Sequence, residues 1–201
     1  MNRTDIRLHY TRLYRDLCFE RHGLFDSVRR KFKPRRVVYV GSSIHVTPSF
    51  HFSDVTYVDD SQLAQSFFSD RPGLISFVGE HKRYRGRTRI DYRNIDYLKK
   101  QVAPAGTFDL AFSIFAPRSL GPASACVKKN GIIVSLPLPS VKHPESVRRG
   151  LMRLGFIVFA GKRYRFVPEA GRAVPRPKVT LRYITGSRFV EKNTYAVFRK
   201  L

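Results

Sequence analysis

Residues 36–60 read RVVYVGSSIHVTPSFHFSDVTYVDD, and the fold follows from how this stretch is read. Arg36-Val37-Val38-Tyr39-Val40-Gly41 is a short β-branched, apolar run closed by glycine, the composition of a strand buried on both faces of a parallel sheet. Gly41-Ser42-Ser43-Ile44-His45-Val46 turns the chain. Thr47-Pro48 then starts a helix, with Thr47 as N-cap and Pro48 at the first helical position, where its missing N–H costs no hydrogen bond. That helix must be brief, because Val55-Thr56-Tyr57-Val58 is a second strand and ends in Asp59-Asp60.

Downstream, Ser61 to Ser69 is expected to be helical through Leu63, Ala64, Phe67 and Phe68. Asp70-Arg71-Pro72 starts a further helix with Leu74, Ile75 and Val78 as its apolar stripe, although LISFV also suits a strand. A third strand is placed around Thr88 to Asp91 and a helix from Ile95 to Gln101. Phe108 to Phe115 is a strand, Leu120 to Lys129 a helix closed by Asn130-Gly131, and Gly131 to Leu136 the next strand. Pro144 to Leu154 reads as helix, and Phe156–Ala160 and Tyr195–Phe198 as two late strands. Upstream, Ile6, Tyr10, Leu13, Leu17 and then Leu24, Phe25, Val28, Phe32 recur at three and four, a helix that Gly23 breaks in two. Its polar face carries Arg3, Arg7, Arg12, Arg15, Arg21, Arg29, Arg30, Lys31, Lys33, Arg35 and Arg36. Strands alternating with helices predict an α/β, doubly wound, Rossmann-like sheet, mostly parallel, behind a basic N-terminal helical extension over residues 1–35.

The 201 residues fit one domain, and 42% hydrophobic and 13% aromatic residues suffice for a core without metal or disulfide support. Two isolated cysteines, Cys18 and Cys126, make neither a disulfide framework nor a thiolate metal site, so no metal is expected and a reducing, cytoplasmic setting is the default. No apolar run resembles a signal peptide or a membrane helix, so no membrane partner is expected. Charge is the dominant feature: 38 Lys+Arg against 15 Asp+Glu leave +23. Such a field attracts polyanions, and the excess of arginine suits phosphate oxygens and bases, so nucleic acid is the first expected partner, RNA before DNA.

In an open parallel sheet ligands bind beyond the carboxyl ends of the strands. Gly41-Ser42-Ser43 lets a ligand approach the backbone; Asp59 ends the second strand eighteen positions later, near the ~20-residue offset of ribose-binding acids; Asp91 and Tyr92 close the third strand, where an adenine could lie. Singly, a glycine after a strand is a turn and an acid after a strand is a cap. The dinucleotide fingerprint G-x-G-x-x-G is absent. His45 reads as structural, Cys126 as core, Asp109 as a cap or cation partner, and Phe50, Phe52, Phe67 and Phe68 as core; no catalytic residue is assigned. Arg83, Arg85, Arg87 and Arg89, interleaved with Tyr84 and Tyr92, form an aromatic-basic stretch suited to nucleic acid, and Arg163 and Arg165 belong to a second basic segment over 162–193.

The series Val38-Tyr39-Val40-Gly41-Ser42-Ser43, Val55-Thr56-Tyr57-Val58-Asp59, Arg89-Ile90-Asp91-Tyr92, Phe108-Asp109-Leu110-Ala111-Phe112-Ser113 and Lys129-Asn130-Gly131-Ile132-Ile133-Val134 resembles the motif order of class I S-adenosylmethionine-dependent methyltransferases, over residues 36 to 200. The resemblance implies a seven-stranded sheet whose last two strands form an antiparallel edge. It also implies S-adenosylmethionine as cofactor, with methionine contacts at Gly41 and Ser43, ribose on Asp59 and adenine near Asp91 and Tyr92; Ser42, Asp60 and Ser113 complete the candidate set. The chain departs from the family pattern in having Tyr39-Val40 before a single Gly41, and Ser113-Ile114-Phe115-Ala116-Pro117 in place of an Asn-Pro-Pro-Tyr or Asp-Pro-Pro-Tyr motif. Two functions follow as expectations: a methyltransferase-like protein acting on or bound to nucleic acid, or a non-catalytic relative with a structural or RNA/DNA-binding role.

Overall fold

A computed structural model describes residues 3–136, 150–160, 163–169 and 194–201. Among the described residues eight strands form one sheet: β1 Val37–Val40, β2 Asp54–Val58, β3 Arg89–Arg93, β4 Phe108–Ser113, β5 Val127–Ser135, β6 Leu151–Ala160, β7 Arg163–Pro168 and β8 Tyr195–Lys200. Their spatial order is β3-β2-β1-β4-β5-β8-β6-β7. The first five run parallel, and β8, β6 and β7 pair antiparallel. The late antiparallel edge is therefore as expected, with one strand added: β7 hairpins back onto β6 at the start of the segment assigned to a basic loop. β1 sits between β2 and β4 and every residue of it is buried, as its all-apolar sequence requires.

The helices are α1 Arg3–Tyr10, α2 His22–Phe32, α3 Pro48–His51, α4 Gln62–Ser69, α5 Arg71–His81 and α6 Leu120–Cys126. Ser61 caps α4 by accepting from the Ala64 N–H, and Asp70 caps α5 by accepting from the Gly73 N–H, so LISFV is helical. Phe50, Phe52, Phe67, Phe68 and Cys126 are buried, and Asp109 at the start of β4 accepts from the Arg35 and Arg36 N–H groups and pairs with Lys128 at 2.6 Å.

Several local expectations fail for identifiable reasons. Thr47 does not cap α3; its hydroxyl shares hydrogen bonds with Tyr10 (2.5 Å) and His45 (3.0 Å). Residues 95–101 make no helix but a turn in which Asp96 accepts from the Leu98, Lys99 and Lys100 N–H groups. α6 stops at Cys126, because Val127 already pairs with Phe108 and a bulge through Asn130 and Gly131 leads into the main run of β5. Leu151–Leu154, expected to be helical, belong to β6, and the rest of that expected helix, 144–149, lies outside the described residues. Gly23 does not break the N-terminal helices: it lies inside α2, where an added Cβ would strike the Tyr164 ring of β7. The break falls at Cys18 and Arg21, both left-handed at φ 54° and 55°.

The first helical stripe is also corrected. Ile6, Tyr10 and Tyr14 are buried, whereas Leu13 and Leu17 are 40% and 38% exposed. Thr11–Arg15 forms a π-helical turn, and its additional residue per turn shifts the helical phase so that Tyr14 faces inward where Leu13 was expected. The N-terminal helices thereby share the main core: Ile6, Tyr10, Leu24, Phe25 and Val28 pack in one cluster with Val37, Tyr39 and Phe112. Among the described residues no helix is long and apolar enough to cross a membrane, and no group of three or more His, Cys, Asp or Glu side chains is placed to hold a metal ion.

Candidate functional site

The carboxyl ends of β1, β2 and β4 converge on the Gly41–Ser43 turn. Gly41 has φ +68° and Ser43 φ +46°, so the chain leaves β1 through two left-handed residues. The Gly41 N–H donates to Val58 O at 2.8 Å, which ties the turn to the end of β2. Asp59, 8% exposed, accepts from the Ser43 N–H at 2.8 Å with one oxygen and from the Ser61 N–H at 3.0 Å with the other. It thus locks the turn and the entry to α4 together. Two of its roughly four lone-pair sites are used, which leaves acceptor capacity for a ribose edge. Asp60 beside it is exposed.

The third-strand pair sits differently from expectation. β3 runs on to Arg93, so Asp91 lies mid-strand opposite Thr56, and Arg93 is level with Val58. Asp91 is half-buried and pairs with Arg93 at 3.1 Å, while the Arg93 guanidinium also donates to Val102 O. Tyr92 stacks on Phe68 at 4.5 Å and 6° and donates its hydroxyl to Asp59 O at 2.8 Å. Burial, and then the charges of Asp59 and Asp60, raise the Tyr92 phenol to about 12, so it stays protonated at neutral pH and keeps the proton it donates to Asp59 O. Ser113 is buried and shares a 2.6 Å hydrogen bond with Ser119, whose hydroxyl reaches Ala116 O. That bridge holds the segment after β4 over the turn. A Cβ on Gly41 would collide with the Ala116 Cβ and stand 3.3 Å from the Tyr97 hydroxyl. The structure brings Gly41, Ser42, Ser43, Asp59 and Tyr92 together, with Ala116 and Tyr97 lying directly on the glycine.

Sequence reading missed what lies beneath. The N-terminal segment threads a polar network into the core behind the turn. His45 is fully buried, its ring nitrogens bonded to Tyr39 and Thr47, and Tyr14 stacks on it at 4.6 Å. Burial, then the Arg21 charge, hold its pKa well below the ordinary histidine value, so its ring is neutral at ordinary pH. Arg21, read as part of the solvated polar face, is 3% exposed: its guanidinium donates to the Tyr195 hydroxyl and to Phe19 O, and lies 3.5 Å and 4.6 Å from the ring centroids of Phe19 and Phe115. The signal that could have found it is Phe19-Glu20-Arg21-His22 itself, an aromatic and charged cluster in a segment too short to be helix.

No family model matches the sequence, and the search of curated proteins found no match. Solved structures do match. N-methyltransferase NodS from Bradyrhizobium japonicum WM9, in complex with S-adenosyl-l-homocysteine, is 14% identical and superposes with TM-score 0.51 over 92% of this chain and 87% of NodS. The tRNA (m1A58) methyltransferase TrmI from Aquifex aeolicus is 18% identical, with TM-score 0.51 over 88% of this chain and 68% of TrmI. The fold is that of the class I S-adenosylmethionine-dependent methyltransferases. A further match, the [4+2]-cyclase SpnF, is 14% identical with TM-score 0.48, and this chain spans only 58% of its length.

The basic residues expected to meet nucleic acid stand in two places on this methyltransferase fold. Arg83, Arg85 and Arg87 are exposed on the connection into β3, where Tyr84 bonds Thr88, and Arg89 is exposed at the first position of β3. Arg163 and Arg165 are exposed on β7, at the opposite edge of the sheet. Seven inter-strand steps separate the two edges, on the order of 30 Å at ~4.8 Å per step.

Proposed function

We propose that this chain is an S-adenosylmethionine-binding protein of the methyltransferase fold that acts on or is bound to nucleic acid. The observation that supports this reading most directly is the Gly41–Ser43 turn locked to Asp59 at the carboxyl ends of the central parallel strands, with acceptor capacity left on Asp59. In this reading Asp59 and Asp60 hold the ribose hydroxyls, Asp91 and Tyr92 flank the adenine, and Gly41, Ser42, Ser43 and Ser113 line the methionine end. The cofactor, when bound, supplies an electrophilic methyl group on a sulfonium. The nucleic-acid part rests on the +23 charge and the exposed arginines, and RNA is preferred because one structural neighbour is a tRNA methyltransferase.

One observation favours a second reading, a non-catalytic relative that keeps the fold and uses its basic surface. Ala116 and Tyr97 stand close against Gly41, where even an added Cβ would collide with the Ala116 Cβ, so the approach to the glycine is narrow. Calorimetric titration with S-adenosylmethionine and S-adenosylhomocysteine separates the two. Saturable binding near one per chain, weakened in Asp59→Asn and Asp60→Ala proteins, is the expected result. No heat at millimolar ligand would overturn cofactor binding and leave the non-catalytic reading.

A further inference from the structure

A cleft of about 900 Å³ opens between α2 and β7, far along the sheet from the Gly41 turn. Arg30 and Lys31 of α2 and Arg163 and Arg165 of β7 line it, and among the described lining residues the one carboxylate is Asp26, which Arg29 and Arg30 already pair. Phe159, Tyr164 and Phe166 line it as well. Successive residues of β7 point to opposite faces of the sheet, yet 163 through 166 all border the cleft, so it wraps the edge of that strand. All four cations are exposed; Lys31 is also drawn over the Phe166 ring at 5.2 Å.

A cleft with cations from two elements along its rim and aromatic faces between them matches one chemistry: a polyanion whose repeating charges are interleaved with flat rings. We infer that the α2–β7 cleft binds single-stranded nucleic acid, the cations taking phosphates and Phe159 offering a face for an unstacked base. This rests on the proposed nucleic-acid partner and names where a strand lies. A duplex keeps its bases inward and could use only the charges, and an anionic membrane or acidic peptide lacks the repeating rings. If each of the four cations neutralises one phosphate, the cleft contributes about −3 to the slope of log affinity against log salt, at roughly 0.7 per phosphate on a single strand.

Fluorescence polarisation with oligo(U), oligo(dT) and a duplex of equal length, titrated across salt on the full chain, tests the assignment. Arg163→Glu/Arg165→Glu should weaken both single strands on the order of tenfold and flatten the salt slope by about 1.4. Lys31→Glu should act in the same direction from the other wall. Phe159→Leu should weaken single strands about fivefold without changing the slope and leave the duplex unaffected. An unchanged far-UV spectrum and urea midpoint show that each variant folds. If the cleft variants bind as wild type while Arg85→Glu/Arg87→Glu does not, the cleft assignment is overturned and the nucleic-acid reading stands. If wild type binds none of the probes, both fall. If the β7 reversal leaves binding intact but makes the chain self-associate, the arginines guard an edge strand and the assignment is overturned.

Discussion

Replacing Gly41 by alanine probes the most constrained point of the candidate site, and the structure separates its cost into two parts. The first is backbone: Gly41 sits at φ +68°, where an L-residue loses about 1–2 kcal/mol relative to the right-handed region. The second is steric: the new Cβ would collide with the Ala116 Cβ and press on the Tyr97 hydroxyl, and overpacking of this kind costs about 1–3 kcal/mol. Gly41→Ala should therefore destabilise by about 2–5 kcal/mol. Ala116→Gly removes the collision and leaves the backbone cost, so the double variant should recover the steric part and stay about 1–2 kcal/mol below Ala116→Gly alone. Urea unfolding of the four proteins, read as shifts in midpoint at constant slope, measures the cycle. A Gly41→Ala protein within 0.5 kcal/mol of wild type, or additive effects of the two substitutions, would refute the contact between the β1 turn and the segment after β4. In the same proteins, Ala116→Gly should tighten S-adenosylmethionine binding if the cofactor enters over Gly41.

Acidification should weaken the fold before its carboxylates titrate. His51, pushed down to about 3 by burial and then by the His22 charge, and His45, held well below its usual value, stay neutral when folded but take up protons when unfolded. Their stabilising effect is complete above the unfolded value of 6.5 and is lost as pH falls below it, for His51 by about 2 kcal/mol at pH 5, with His45 acting in the same direction. Urea midpoints that are flat from pH 7 to 5 would contradict this. Arg21→Lys should destabilise by about 2–4 kcal/mol despite keeping the charge, because an ammonium lacks the planar fork that lies against the stacked Phe19 and Phe115 rings while bonding Tyr195; thermal melts check it. Cys126, buried and raised to about 11, should resist a thiol reagent at pH 8 while exposed Cys18 reacts, giving one thiol per native chain and two after denaturation.

The alternating pattern of the sequence was sufficient for the architecture. Val37–Val40 is apolar without alternation and Val55–Val58 is interrupted only by Thr56, the composition of strands covered on both faces, while Ser61 and Asp70 mark helix starts by local hydrogen-bond chemistry and Pro72 by its fixed φ. The glycine turn and the acid at the end of β2 were legible for the same reason, since both belong to one short stretch of chain. What the sequence left open depends on partners distant along the chain. Leu151–Leu154 is strand because β8 pairs with it, Gly23 stays within a helix because the Tyr164 ring needs the space, and Arg21 is buried because Phe115 and Tyr195 form its receptacle. Whether Asp59 faces a ligand or the Ser43 and Ser61 amides, and whether Gly41 is open or covered by Ala116, is likewise decided by which segments fold over the turn. Propensity and periodicity act between residues a few positions apart, whereas burial, collision and hydrogen-bond satisfaction are settled only when remote parts of the chain meet.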